Sequence, residues 1–301
     1  MSFPDRDFDP VRVAEKALWV RRVVLEMAVA ARSGHVTTAF SQTEILCTLY
    51  YGGLLHYRPD EPRWLDRDRF ILSKGQGGIG LYPILADVGF FPLSDLANFA
   101  GPGSNLGVHA EWHVPGIEVV SGSLGHGLPL ATGMALAARW SSQDHLVVCL
   151  TGDGELYEGS CWEALAVANH LELDNLVVIV DRNGQATLGY SDEIESPLDG
   201  PRHLDLEEKL EAFGLEVRAC DGHVPERIAT LLEDARRRVG RTGRPLAVVA
   251  KTEKGHGSAF LAGRRGWHYR VPSGEDLAAV RGDLGILTPG VGQFLDGVDD
   301  G

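Results

Sequence analysis

Two short apolar runs, each ending in an oxygen-bearing side chain, constrain this chain more than any other feature. Leu146-Val147-Val148-Cys149-Leu150 leads into Thr151-Gly152-Asp153-Gly154-Glu155. A second run, Leu176-Val177-Val178-Ile179-Val180, leads into Asp181-Arg182-Asn183-Gly184 and places Asn183 thirty residues after Asp153. Continuous apolar runs of this length read as buried parallel strands, and one helix's worth of chain separates them. In a parallel sheet their ends lie side by side at the carboxyl edge, where open α/β folds bind ligands. A carboxylate and an amide oxygen, with backbone carbonyls, are hard ligands suited to Mg²⁺ or Ca²⁺, and such an ion can also hold a phosphate-bearing cofactor. The glycines flanking Asp153 let a diphosphate approach the backbone at a helix N-terminus. Gly-Asp-Gly by itself is an ordinary turn signal; the order strand, turn, helix, strand, Asn gives it meaning.

The remaining chain alternates in the same way. Val11 to Arg32 has helical spacing and is stopped by Ser33-Gly34-His35. Ser41 and Glu44 have the spacing of a capping box before Ile45, Leu46 and Leu49. Arg69 to Ser73 reads as a strand, followed by the glycine-rich turn Lys74-Gly75-Gln76-Gly77-Gly78 and a helix from Ile79 to Val88. Gly101 to Gly116 reads as an ordered loop or lid, and Leu124 to Trp140 as a helix opened by Gly125-His126-Gly127. Beyond an irregular segment, Tyr190 to Arg202, come helix Leu204–Phe213, strand Leu215–Cys220, helix Pro225–Val239 and strand Pro245–Lys251. Such alternation predicts an α/β fold, a doubly wound, mostly parallel sheet flanked by helices. No composition break marks a linker, so the expectation is one domain over residues 10–288 and a frayed tail over 289–301.

Composition narrows the partners. The chain has 301 residues, 44% of them hydrophobic, enough for one large core. A net charge of -14 argues against nucleic-acid or anionic-membrane binding, so a diphosphate has to be held locally by a metal and backbone amides. Cys47, Cys149, Cys161 and Cys220 have no zinc or redox spacing and read as buried free thiols of a reducing compartment. The N-terminus has no signal-peptide pattern and no stretch reaches transmembrane length. The expected location is cytoplasmic.

Several segments, taken in order, resemble the transketolase family. They are Ser33-Gly34-His35, the run Asp66 to Gly75, Ser121-Gly122-Ser123-Leu124-Gly125-His126-Gly127, Gly152 to Gly159, Asp181-Arg182-Asn183-Gly184, Lys251-Thr252 and Trp267-His268. The resemblance covers residues 15 to 270, the N-terminal diphosphate-binding domain, and is closest in kind to split transketolases made of two polypeptides. It implies that thiamine diphosphate, held with Mg²⁺ (Ca²⁺ or Mn²⁺ able to substitute), lies across an interface. A separate subunit would carry the pyrimidine-binding domain and its activating glutamate, in an α2β2 heterotetramer. The pair would transfer a two-carbon ketol unit from a ketone donor to an acceptor. The alternatives within the superfamily are a 2-oxoacid dehydrogenase first component and a deoxyxylulose-phosphate synthase; outside catalysis, the alternative is a regulatory subunit that keeps the fold.

By the same resemblance, Asp153 and Asn183 are metal ligands, with Gln185 contributing its backbone carbonyl. Ser123, Leu124, Gly125, Gly152, Gly154 and Glu155 fall in the cofactor-binding segments, Gly154 and Glu155 against the diphosphate. Glu158 links cofactor sites across the dimer. His35, His109 and His268 surround the reacting carbon, where near-neutral imidazoles can donate hydrogen bonds and move protons. Three departures stand out: Gln76 replaces a family histidine, His126 replaces a glutamine, and Val36-Thr37-Thr38 replaces a Pro-Gly pair after His35. Gln76 cannot titrate, so the ordinary sugar-phosphate substrate is put in question while cofactor binding is left intact.

Overall fold

All five strands read from the apolar runs line up in one parallel sheet. The computed structural model describes residues 8–186, 189–190 and 205–295. The strands are β1 (Arg69–Leu72), β2 (Val147–Gly152), β3 (Leu176–Arg182), β6 (Glu216–Asp221) and β7 (Leu246–Lys251), in the spatial order β1-β2-β3-β7-β6. A two-stranded hairpin, β4 (Gln185–Ala186) with β5 (Gly189–Tyr190), follows β3. The chain steps one way across the sheet from β1 to β3, moves to the far edge for β6, and returns with β7 alongside β3. That reversal is the kind of switch beside which open α/β sheets build ligand sites. Central β2 is buried along its whole length, as its unbroken apolar sequence requires. Edge strand β6, with Glu216, Arg218 and Asp221, is largely half-buried or exposed.

The chain divides into two compact units. Residues 65–74 and 123–252 contain the whole parallel sheet. Here α5 (Gly127–Trp140) packs on β1, β2 and α6 (Gly159–His170), and the helix Pro225–Arg238 packs on β6 and β7. The helix Leu206–Ala212 begins with a capping box in which Asp205 accepts the Glu208 N–H and Glu208 accepts the Asp205 N–H. Asp174 ties the turn before β7 by accepting the N–H groups of Gly240, Arg241, Thr242 and Gly243 at 2.9–3.1 Å. Burial alone would raise this carboxyl, but the four donors outweigh it and hold the group below the ordinary carboxylate range.

The second unit, residues 1–64, 75–122 and 253–301, is helical where it is regular. Asp9 caps α1 (Pro10–Ala31), whose proline sits at the first turn, where its missing N–H is not needed. The helix packs on α2 (Val36–Ser41), α3 (Thr43–Tyr51) and α4 (Gly78–Asp87). Two buried ion pairs cross this bundle, Lys16–Asp87 at 2.8 Å and Arg21–Glu44 at 2.6 Å.

Several boundaries differ from expectation. Ser41 and Glu44 form no capping box: Ser41 closes α2 and donates to the Thr38 carbonyl, while Glu44 is held by Arg21. The helix expected from Leu124 begins at Gly127, because residues 123–126 form a separate loop. Helix Gly274–Asp283, unannounced by periodicity, is anchored by a two-pronged Arg281–Glu26 pair at 2.7 and 2.8 Å. The expected tail is held up to residue 295: Gly290 N–H donates to Glu26 and Val291 is buried in a short 3-10 turn. Residues 101–116 form the anticipated irregular loop, pinned by the Tyr82 hydroxyl on the Gly107 and His109 carbonyls. Of the irregular segment 190–202, residues 191–202 lie outside the described residues. The cysteines are free, with Cys47, Cys149 and Cys161 buried; burial raises the thiols, Cys161 to about 12 and Cys220 to about 11. No described helix is long and apolar enough to cross a membrane.

Candidate functional site

Within the sheet unit, the register pairs Gly152 with Asp181, so the residues that follow β2 and β3 leave the sheet together. The buried carboxylate of Asp153 bridges both exits, accepting the Gly154 N–H at 2.9 Å and the Gly184 N–H at 2.8 Å. Asn183 Oδ1 accepts the Gln185 N–H at 3.2 Å, and its Nδ2 donates to the Asp181 carbonyl at 3.4 Å. The three expected metal residues are thus joined in one hydrogen-bonded pair of loops.

Glu155 has a different task from the one anticipated. Its carboxylate accepts the Ser73 hydroxyl at 2.5 Å and the N–H groups of Gly125 and Gly152 at 2.9 and 3.2 Å. It shapes the glycine loops rather than offering negative charge to a phosphate. Gly125 has a φ of +79°, and a Cβ there would lie 2.5 Å from Glu158 Cβ and 2.7 Å from Ser160 Oγ. Only glycine fits this backbone and this approach. Ser160 donates to the Gly125 carbonyl at 2.8 Å, fastening the 123–125 loop to the start of α6. Ser123 and Glu158 are exposed and Leu124 is half-buried. His126 is exposed as well, its Nδ1 3.1 Å from the Leu124 carbonyl.

Two participants carry no motif of their own in the sequence. Lys74 and Asp181, 1% and 0% exposed, form a buried ion pair, and the Thr252 hydroxyl also donates to Asp181. A charged residue at the end of an apolar strand is the signal that both positions offer. Buried Asp153, Asp181 and Glu155 thus stand, among the described residues of these strand ends, with one buried cation, Lys74. Burial raises the Asp153 carboxyl, Asp181 raises it further, and the Gly184 and Gly154 amides and Lys74 act in the opposite direction. Glu155 is likewise raised by burial. An all-oxygen donor set with excess buried negative charge fits a small hard dication.

The helical unit holds the histidines. His35 caps α2, His109 lies on the 101–116 loop and His268 follows the buried Trp267. Their rings gather around His35, with centroids 5.9 Å to His109, 5.5 Å to His268 and 4.6 Å to Tyr269. Tyr269 and Ser33 hydroxyls lie 3.2 Å apart. His268 Nδ1 is 2.8 Å from the ammonium of buried Lys254. Thr37, one of the residues that depart from the family pattern, ties these segments: its hydroxyl donates to the Trp267 carbonyl at 2.8 Å, and its own carbonyl accepts the Gly255 N–H at 3.0 Å. Gln76 is half-buried on the 3-10 turn Gly75–Gly77. That turn runs close to the His109 loop, since a Cβ on Gly78 would lie 3.1 Å from the Ala110 nitrogen. Neither Lys254 nor Tyr269 is foreseeable from the sequence, because loop contacts across hundreds of residues leave no periodic trace.

Comparison with known proteins agrees with these assignments of fold. The family described as "Transketolase, thiamine diphosphate binding domain" matches residues 14–290. One of the two subunits of the apulose-4-phosphate transketolase from Actinobacillus succinogenes is 38% identical over 273 residues, covering 90% of this chain and 94% of its own. The 6-deoxy-6-sulfo-D-fructose transketolase subunit SqwG of a Clostridium species is 37% identical, covering 83% and 87%. Among solved structures, transketolase from Campylobacter jejuni superposes with a TM-score of 0.84 at 29% identity. It covers 95% of this chain, whereas this chain spans 45% of that protein.

Proposed function

Because this chain belongs to the transketolase family, matching its thiamine-diphosphate-binding domain, we propose that it is the cofactor-binding subunit of a two-component transketolase that moves a two-carbon ketol unit. Two relatives matched along most of their own length are named as transketolase subunits, which supports a separate polypeptide carrying the pyrimidine-binding domain, in an α2β2 assembly of the cytoplasm. The observation that carries the reading is the hydrogen-bonded pair of strand-end loops uniting Asp153, Asn183 and Gln185.

In this reading Asp153, Asn183 and the Gln185 carbonyl hold Mg²⁺, and the 123–125 loop with Gly152 and Gly154 receives the diphosphate. When bound, thiamine diphosphate supplies the carbon nucleophile that takes up the two-carbon unit. The chain's own residues do the remainder. Glu155 holds the glycine loops open, and Lys74 with Thr252 fixes Asp181 beside Asp153. His35, His109 and His268 donate hydrogen bonds to substrate oxygens or exchange protons with them. Exposed Glu158 is placed for contact with another subunit. Gln76 can bond substrate but cannot move a proton, so the donor or acceptor differs from the common ketose phosphates. The test is calorimetry of thiamine diphosphate with and without Mg²⁺, then two-carbon transfer after co-expression with the partner. Mg²⁺-dependent binding and partner-dependent turnover are expected; a chain that binds no cofactor would be a non-catalytic subunit.

A further inference from the structure

His268 is held at a fixed distance from a buried cation. Thr37 clamps the Trp267 carbonyl and the Gly255 N–H, so the residues next to Lys254 and next to His268 are bonded to one side chain of α2 and its backbone. The Gly263 N–H donates to the Lys254 carbonyl at 2.9 Å, closing the same loop. Lys254 is 4% exposed, and its Nζ sits 2.8 Å from His268 Nδ1. An ammonium group has three donors and no acceptor. Nδ1 must therefore present its lone pair to Lys254, which leaves the ring proton on Nε2.

We propose that Lys254 is a positioning residue that locks His268 as the Nε2–H tautomer, making it a hydrogen-bond donor to the substrate rather than a general base. The inference rests on the reading of His268 as a group at the reacting carbon. The chemistry follows from the ring. With Nδ1 occupied, a second proton would set an imidazolium directly against an ammonium, and like charges so close disfavour the charged form. His35, edge-on to His268 with its centroid 5.5 Å away, is a second titratable ring facing it. His268 then polarises a substrate carbonyl or hydroxyl through Nε2–H, and proton removal falls to other groups.

The assignment is read by nitrogen-15 correlation spectra of the full chain labelled at histidine, with His268→Asn used to identify the signal. The expected result is a pyrrole-like Nε2 and a pyridine-like Nδ1 in the wild type, and a mixture of tautomers in Lys254→Met. A proton on Nδ1 in the wild type would mean that Lys254 is neutral and accepting, and would overturn the proposal. The role is read with the co-expressed two-subunit enzyme. A glutamine amide nitrogen can occupy the place of Nε2, whereas an asparagine amide occupies that of Nδ1. His268→Gln should retain more turnover than His268→Asn. Lys254→Met should lower kcat by about 10–100-fold, the range found when a partner that orients a functional histidine is removed, with little change in KM. Lys254→Arg, which keeps the donor, should recover part of that loss. Equal turnover of all four variants and the wild type would overturn the donor role. Such a result would leave the two-component reading standing, since that reading fails only if cofactor binding or partner dependence fails.

Discussion

The strand-end loops and the histidine cluster are built by opposite means. Around Asp153 the positions are fixed by sheet register and backbone amides: Gly152 pairs with Asp181, and Gly125, Gly152, Gly154 and Gly184 each donate to a carboxylate. Around His35 the neighbours are side chains from α2, from the 101–116 loop and from residues 254–269, gathered by ring contacts and by Thr37. The first arrangement holds charge rigidly, as a metal and a diphosphate demand. The second can change its polar surface by single substitutions without disturbing any strand. Cofactor binding and substrate choice are therefore separable in this chain, and mutations should divide between them.

The largest expected effect is at Asp153. Asp153→Ala removes the charged metal ligand and frees the Gly184 loop, so Mg²⁺-dependent thiamine diphosphate binding should disappear in calorimetry; undiminished affinity would break the comparison at its firmer end. In the wild type the raised Asp153 carboxyl makes protons compete with the metal. Affinity should weaken on acidification from a higher pH than an ordinary carboxylate of about 3.9 would give, with proton release on binding.

Next come the histidines. His35→Ala or His109→Ala in the two-subunit enzyme should lower kcat about 10²–10⁴-fold, the usual contribution of acid–base groups, while cofactor affinity stays at the wild-type value. A parallel loss of affinity would show that the two regions act as one. A smaller change is expected for Gln76→His. It should improve turnover of xylulose 5-phosphate relative to non-phosphorylated ketones and 2-oxoacids; efficient wild-type use of that substrate with ribose 5-phosphate would make Gln76 a neutral replacement.

The smallest effect should touch the sheet unit alone. Asp174→Asn weakens four amide contacts and should cost about 1–3 kcal/mol in denaturant unfolding, with the kinetic constants of the folded enzyme unchanged. Because the folded carboxyl is depressed, its contribution is complete above the unfolded value of about 3.9 and is lost as pH falls toward the depressed one. The gap between wild type and Asp174→Asn should therefore close in acid.

The difference in construction also explains what is legible without a structure. Strands and turns declare themselves locally, so β2, β3 and the Asp153–Asn183 pair can be read from apolar runs and glycine spacing. The histidines are legible only through resemblance to a family. Lys254, Tyr269 and the Thr37 clamp depend on contacts between residues far apart in the chain, and the two-pronged Glu26–Arg281 pair joins residues 255 positions apart. The missing capping box has the same origin, because the buried Arg21 takes Glu44 away from a local partner.

The order of strands carries a consequence for synthesis. β7 enters the sheet against β3, yet it is made only after β6 and the helix Pro225–Arg238. A ribosome adding ~5–20 residues per second leaves one side of β3 without its native partner for several seconds. During that interval the newborn chain displays a bare, apolar strand edge that a neighbouring nascent chain could join. The helical unit must wait longer still, since its last segment begins at residue 253. Yield from rapid overexpression should thus respond to slower translation, or to a chaperone that occupies strand edges.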